Sequence, residues 1–261
     1  MTYLAVYGFT FGLFASVFLV AQLKQNNGYI DIIWGPGFVA AAWISYLYGN
    51  PAGTVPLVMT IFVTVWGLRL GWHLARRNIG KPEDYRYAQM RANWNPKYYY
   101  IRIFFKVYMI QFALNVLIGL SVIVSNLQDI PEWSFRAAIG AVCWGIGFLF
   151  EAVGDAQLKK FKADPESKGK IMTLGLWRWT RHPNYFGESL QWWGLFVMAA
   201  DSPGRLFLIV SPLTITGLLL FVSGIPLLEK KYEGREDWEA YKKQTSKFVP
   251  MPPGRNRGGV A

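Results

Sequence analysis

The chain has 261 residues, of which 52% are hydrophobic, 17% aromatic and only 16% charged. Charged residues make up roughly 25% of an average soluble domain, so this composition excludes a disordered chain, a disulfide-stapled secreted domain and an ordinary cytosolic enzyme. The 27 basic against 16 acidic side chains would point to nucleic acid in a soluble protein. Here they fit the Lys and Arg that membrane proteins collect in cytoplasmic loops, and no nucleic-acid partner is expected.

Apolar segments fall at about 3–23, 29–48, 54–75, 101–125, 133–153, 183–200 and 205–228. Most are near the roughly 20 residues that cross a bilayer as a helix. In lipid each must satisfy its own backbone polar groups, so each is read as helical. The expected fold is all-α, a polytopic membrane protein of seven transmembrane helices whose partner is the lipid bilayer. The first segment lacks a basic n-region and a small-residue cleavage site, so no cleavable signal peptide is expected. The second opens with Asp31 and carries Pro36, and the sixth carries Glu188. The single cysteine, Cys143, lies in the fifth and allows no internal disulfide.

Positive charges mark the sides. The loop 76–100 holds six, the loop 154–182 holds seven and the tail from Lys230 holds eight, whereas the opposite connections hold only Arg136 and Arg205. This pattern puts the N-terminus outside and the C-terminus in the cytoplasm. A basic, partly enclosed cytoplasmic face would attract an anionic ligand.

The stretch from Gly175 to Gly194 is the most unusual. In Arg181-His182-Pro183-Asn184-Tyr185-Phe186-Gly187-Glu188, Pro183 suits a first helical turn and places Arg178, Arg181 and His182 just before it. Asn184 and Glu188 are four apart, on one helix face, and Gln191 follows on roughly the same side. Polar groups inside a spanning helix are costly unless they face a protein interior or a wet cavity. Asp31, the pair Arg69 and His73, and the pair Glu151 and Asp155 also stand at span ends, and jointly these groups favour a cavity. The tail from Leu228 reads as an amphipathic helix and then an extended segment to Pro250. It is either interfacial or a lid with Tyr232 or Tyr241 turned inward. No dinucleotide fingerprint, phosphate loop or spaced metal-ligand set is present, and no metal is expected.

The motif from Arg181 to Glu188, then Trp192-Trp193-Gly194, then Glu229-x-x-Tyr232, Tyr241 and Phe248-Val249-Pro250, resembles the C-terminal domain of steroid 5-alpha-reductases. The likeness is greatest to a bacterial branch that shares Asp31-Ile-Ile-Trp34-Gly35, which implies a bacterial inner membrane as the location. It covers about residues 140–253 well, and the first half mainly in its pattern of spans. The resemblance implies one integral membrane domain with an N-terminal transmembrane half, 1–130, on the substrate side and a cofactor-binding half, 131–261. It implies an oxidoreductase that uses NADPH to reduce a carbon–carbon double bond conjugated to a carbonyl in a hydrophobic, lipid-like substrate. Asp155, Asn184 and Glu188 would hold the cofactor, with His182 and Tyr185 inside the same motif. Lys162, Arg178 and Arg181 would meet its phosphates, and Tyr232 or Tyr241 would close over it.

Steroid reductases polarise the substrate carbonyl with a Glu on the second span and a Tyr on the third. Here Asp31 is the nearest acid, and the third span contains no tyrosine. Asp31, if kept protonated by apolar surroundings, would be the catalytic acid; Arg69, His73, Tyr85 and Tyr87 are the groups that would replace the tyrosine. Two other functions fit the same residues. Isoprenylcysteine-type methyltransferases, which use S-adenosylmethionine, also carry Arg-His-Pro-x-Tyr-x-Gly with an acidic tail. A lipid-binding scaffold without chemistry would keep the fold and lose the tyrosine. No obligate protein partner is expected.

Overall fold

A computed structural model describes residues 2–128 and 133–254, and among these residues there are helices and no strands. The boundary expected at 130/131 lies outside the described residues. Contact density divides the chain into two units, Met1–Ala137 with Met198–Ser211, and Ala138–Val197 with Pro212–Ala261.

Among the described residues, six helices are long and apolar enough to cross a membrane: α1, Thr2–Leu23; α2, Tyr29–Gly49; α3, Thr54–Asn78; α5, Pro96–Gln128; α6, Phe135–Ala163; and α8, Pro203–Tyr232. Between α3 and α5 lies the short α4, Tyr85–Asn93. The chain has the character of an integral membrane protein. The segment expected as a further span at 183–200 forms α7, Pro183–Ala199, of 17 residues. That is about 25 Å at 1.5 Å per residue, against a hydrocarbon core of about 30 Å. No residue of α7 is exposed, so its polar side chains are packed in protein rather than turned to lipid.

In the first unit, α2 packs on α3 through glycine. A Cβ on Gly67 would come within 2.7 Å of the Gly35 carbonyl oxygen, and one on Gly71 within 2.8 Å of the Pro36 ring. Removing side chains there lets two backbones close to contact, the usual route to tight helix pairs in a bilayer. It also explains how Pro36 is accommodated inside α2. A buried amide at the far end, Asn126 on α5, gives its N–H groups to the Ala42 carbonyl, Ser45 and Thr60, tying α2, α3 and α5 together.

The second unit repeats the device with a longer seam. Gly140, Gly147 and Gly154 on α6 and Gly187 and Gly194 on α7 are spaced by sevens. A Cβ on Gly147 would sit 2.6 Å from the Gly187 carbonyl oxygen, one on Gly194 2.5 Å from that of Gly140, and one on Gly154 3.2 Å from Pro183. The spacing of seven keeps each small residue on one face over two turns.

The tail departs from its sequence reading at one boundary. Residues 228–232 belong to α8, and the tail helix is α9, Glu236–Gln244, separated from it by a turn in which Gly234 has φ +81°.

Candidate functional site

Two polar clusters form, one in each unit. In the first, Asn27 in the α1–α2 turn is fully buried. Its amide N–H groups donate to Glu83 at 2.8 Å and to the Tyr99 hydroxyl at 2.9 Å, and its oxygen accepts from Gln22 at 2.7 Å and from Tyr108 at 3.0 Å. Glu83 is further held by Arg91, at 3.0 Å. Burial pushes the Glu83 carboxyl up, but the bonds from Arg91 and Asn27 outweigh it and hold the group below its ordinary value. Every donor and acceptor on the Asn27 side chain is used, so this knot closes the end of α1, α2 and α5.

Beside it stands Asp31, accepting the Tyr87 hydroxyl at 2.8 Å and an Arg86 N–H at 3.2 Å. Asp84 caps α4 and takes two further bonds from the Arg86 guanidinium, at 2.9 and 3.3 Å. Burial, and after it the charge of Asp31, pushes the Tyr87 phenol well up. Burial draws the Arg86 guanidinium down, and the bond from Asp84 and the charge of Asp31 more than offset it. Asp31 therefore sits between two donors. The phenol bonded to Asp31 is that of Tyr87 on α4. Arg69 and His73 are half-buried on one face of α3.

In the second unit α6 supplies carboxylates and α7 supplies amides. Asn184 donates to Asp155 at 3.1 Å, and Gln191 donates to Glu151 at 2.6 Å. Asn184 and Gln191 are seven apart on one face, and Glu151 and Asp155 are four apart, so the two pairs repeat along the seam. Each amide nitrogen donates to a carboxylate, and that of Gln191 also to the Gly187 carbonyl at 3.3 Å. The Asn184 and Gln191 amide oxygens are buried, and no donor among the described residues meets either. Buried polar atoms in native proteins are overwhelmingly hydrogen-bonded, so each exception needs a reason. Glu188 is 9% exposed on the same helix. The sequence shows Gln191 and Glu151 only as neighbours of the motif; their pairing across 40 residues joins them to it.

Where α7 begins, Arg181 and His182 both bond Glu229 of α8, at 2.9 and 3.0 Å. Arg181 also donates to the Thr245 carbonyl at 2.7 Å and lies over the Trp238 ring. Its guanidinium is thus committed to α8 and the tail instead of lying open to phosphate. Burial pushes the His182 imidazole below its ordinary value, against the pull of Glu229, and its Nδ1 is buried with no partner among the described residues. The His182 ring stacks on half-buried Tyr185. Tyr241 is buried with its hydroxyl on the Trp177 carbonyl, and half-buried Tyr232 packs at a tilt against Trp238. Both tyrosines turn inward, as structural contacts of α9. Arg178 and Lys162 are exposed. Gly175, at φ +62°, makes the turn that brings the Leu176 N–H to Gln157.

These features define a helical membrane protein with polar groups buried at span ends. Residues 17–245 match the model of a family described as protein of unknown function (DUF1295), and the chain belongs to that family, which is a steroid 5-alpha-reductase-like one. It is 27% identical to an uncharacterized protein of Schizosaccharomyces pombe (strain 972 / ATCC 24843), over 69% of this chain, and spans 60% of that relative's length. No solved structure matches.

Proposed function

We propose that the chain is an NADPH-dependent reductase of a carbon–carbon double bond conjugated to a carbonyl in a steroid-like or other lipid substrate. The observation that carries this reading is the pair of α7 amides, each bonded through its nitrogen to an α6 carboxylate, whose oxygens are buried and unmet among the described residues. Fixed in this way, Asn184 and Gln191 present acceptor oxygens, and an acceptor fits a ligand that brings N–H donors, as the carboxamide of a nicotinamide does. Asp155, Asn184 and Glu188 would hold that end of the cofactor. Exposed Arg178 and Lys162 would meet its phosphates, since the Arg181 guanidinium is engaged by α8 and the tail. When bound, NADPH supplies the hydride for the β-carbon of the enone.

In the first unit, taken by itself, the groups suited to polarising a carbonyl oxygen are those around Asp31. Arg86 is a donor held in place by the Asp31 and Asp84 carboxylates, and the single Tyr87 O–H, which rests on Asp31, would turn from it to the substrate; a preoriented donor stabilises the charge that develops on that oxygen. Asp31 then acts by orienting the phenol. The basic loops lie in the cytoplasm of a bacterial cell in this reading, on the side where the phosphorylated cofactor is abundant.

Purified protein tests it. NADPH should raise the unfolding temperature and S-adenosylmethionine should not, because a selective ligand stabilises only the folded state. A hydrophobic enone should be reduced with oxidation of NADPH, and Tyr87→Phe should lower that turnover about 10²-fold or more. Stabilisation by S-adenosylmethionine alone would replace this reading with the methyltransferase one. Lipid binding without stabilisation by either cofactor would support the scaffold.

A further inference from the structure

The second unit carries a face of which the reductase reading uses only Arg178. Residues 174–181, just before α7, pair with residues 245–251, beyond α9. Thr180 bridges to Ser246, the Arg181 N–H meets the Ser246 carbonyl at 2.8 Å, the Thr180 hydroxyl meets the Phe248 carbonyl at 2.8 Å, and the Met251 N–H meets the Trp179 carbonyl at 3.0 Å. Along the second segment of this pair the side chains alternate. Phe248 turns inward onto Phe186, while Lys247, Val249 and Met251 are exposed. From the first segment, Leu174, Arg178 and Trp179 are exposed as well. Trp179 is 46% exposed, Val249 51% and Met251 40%.

An amphipathic tail helix would ordinarily be the part that lies on a membrane. Here α9 cannot serve. Its aromatic face, Trp238 and Tyr241, is buried against Arg181 and the Trp177 carbonyl. The outward apolar surface has moved to the paired segments beside it. Residues 168–181 and 245–254 contain Lys168, Lys170, Arg178, Arg181 and Lys247 and no acid. Two of the three acids of α9 are paired within the helix region, Asp237 with Arg235 and Glu239 with Lys242.

We infer that this face, Trp179, Val249 and Met251 flanked by Arg178 and Lys247, is an interfacial anchor that rests on the anionic headgroup surface of the bilayer. The connectivity puts it at the membrane edge, since it lies between the end of α6 and the start of α7 and comes after α8 by a short helix. A tryptophan among apolar side chains suits the boundary between headgroup and acyl chain. Two cations and no facing acid suit an anionic leaflet rather than a neutral one. Contiguous exposed apolar surface needs a partner, and the bilayer already beside it supplies one.

Because Cys143 is the single cysteine, a Cys143→Ser background allows Val249→Cys to be labelled alone with an environment-sensitive fluorophore. The protein is placed in nanodiscs of neutral phosphatidylcholine or of phosphatidylcholine with phosphatidylglycerol. The expected result is brighter, blue-shifted emission in the anionic discs. That gain should fade as salt rises from about 0.1 M to about 1 M, where the screening length drops from about 10 Å to about 3 Å. It should vanish in Arg178→Glu/Lys247→Glu. A label at Glu239→Cys on α9 should not respond to lipid charge. Equal emission at position 249 in both lipids overturns the inference. So does a shift that tracks the number of protein copies per disc, which would make the occupant a second copy of this chain.

Discussion

The knot around Asn27 and the polar seam of α7 use the same kinds of group, amides against carboxylates, and end differently. At Asn27 both amide atoms are saturated, and Glu83 is shared between Asn27 and Arg91. On α7 the amide nitrogens are bonded, while the oxygens of Asn184 and Gln191 are buried with no donor among the described residues. A saturated network fixes a fold, and a network that stops one bond short holds acceptors in position for something else. The contrast separates a closed network in the first unit from one in the second that leaves two buried acceptors unmet among the described residues.

Removing the charge that ties α7 to the tail should have the largest effect on stability. Arg181→Met strips Glu229 and the Thr245 carbonyl of their guanidinium partner, and breaking one side of a buried ion pair costs about 3–5 kcal/mol. Thermal unfolding in detergent measures it. Asn27→Ala should cost less, about 1–3 kcal/mol, because it leaves Tyr99, Tyr108 and Glu83 each short of one bond. Asn184→Ala sharpens the comparison. It takes one bond from half-buried Asp155 and removes an unmet acceptor, so its stability loss should fall below about 1 kcal/mol. A loss in Asn184→Ala equal to that in Asn27→Ala would erase the distinction between the clusters.

The smallest effect is a pH dependence. Glu83 is held below its ordinary value of 4.5, so the folded state binds its proton less readily than the unfolded chain. Its contribution is complete above about pH 4.5 and is lost as pH falls through the folded value. Unfolding of Glu83→Gln should therefore change less with pH than that of the native chain in this acid window.

Much of the architecture is legible because hydrophobic length is a strong signal. The helices at 2–23, 29–49 and 54–78 agree with their apolar runs to within a few residues. The α7 segment is harder, since Glu188 and Gln191 shorten its apolar run in the same way whether a helix faces lipid or is wrapped in protein. The glycine spacing of sevens at 140, 147 and 154 and at 187 and 194 marks the α6–α7 seam, a signal that apolar length alone does not carry. The tail helix starts later than its amphipathicity suggests, because residues 228–232 resemble residues 236–244 in character and only the turn at Gly234 divides them. Of the site residues, Asn184, Glu188 and Asp155 come from one motif and its neighbour helix. The Tyr87–Asp31 contact spans 56 residues, and that of Arg181 with Glu229 spans 48. Such pairings depend on how helices pack, which periodicity does not encode.

The central claim is that the α7 amide face holds a nicotinamide cofactor, and calorimetric titration of NADPH tests it most directly. Binding should weaken at least about tenfold, near 1.4 kcal/mol, in both Asn184→Ala and Glu188→Gln, while Asp31→Asn keeps the native affinity. Native affinity for NADPH in Asn184→Ala and Glu188→Gln would contradict the account.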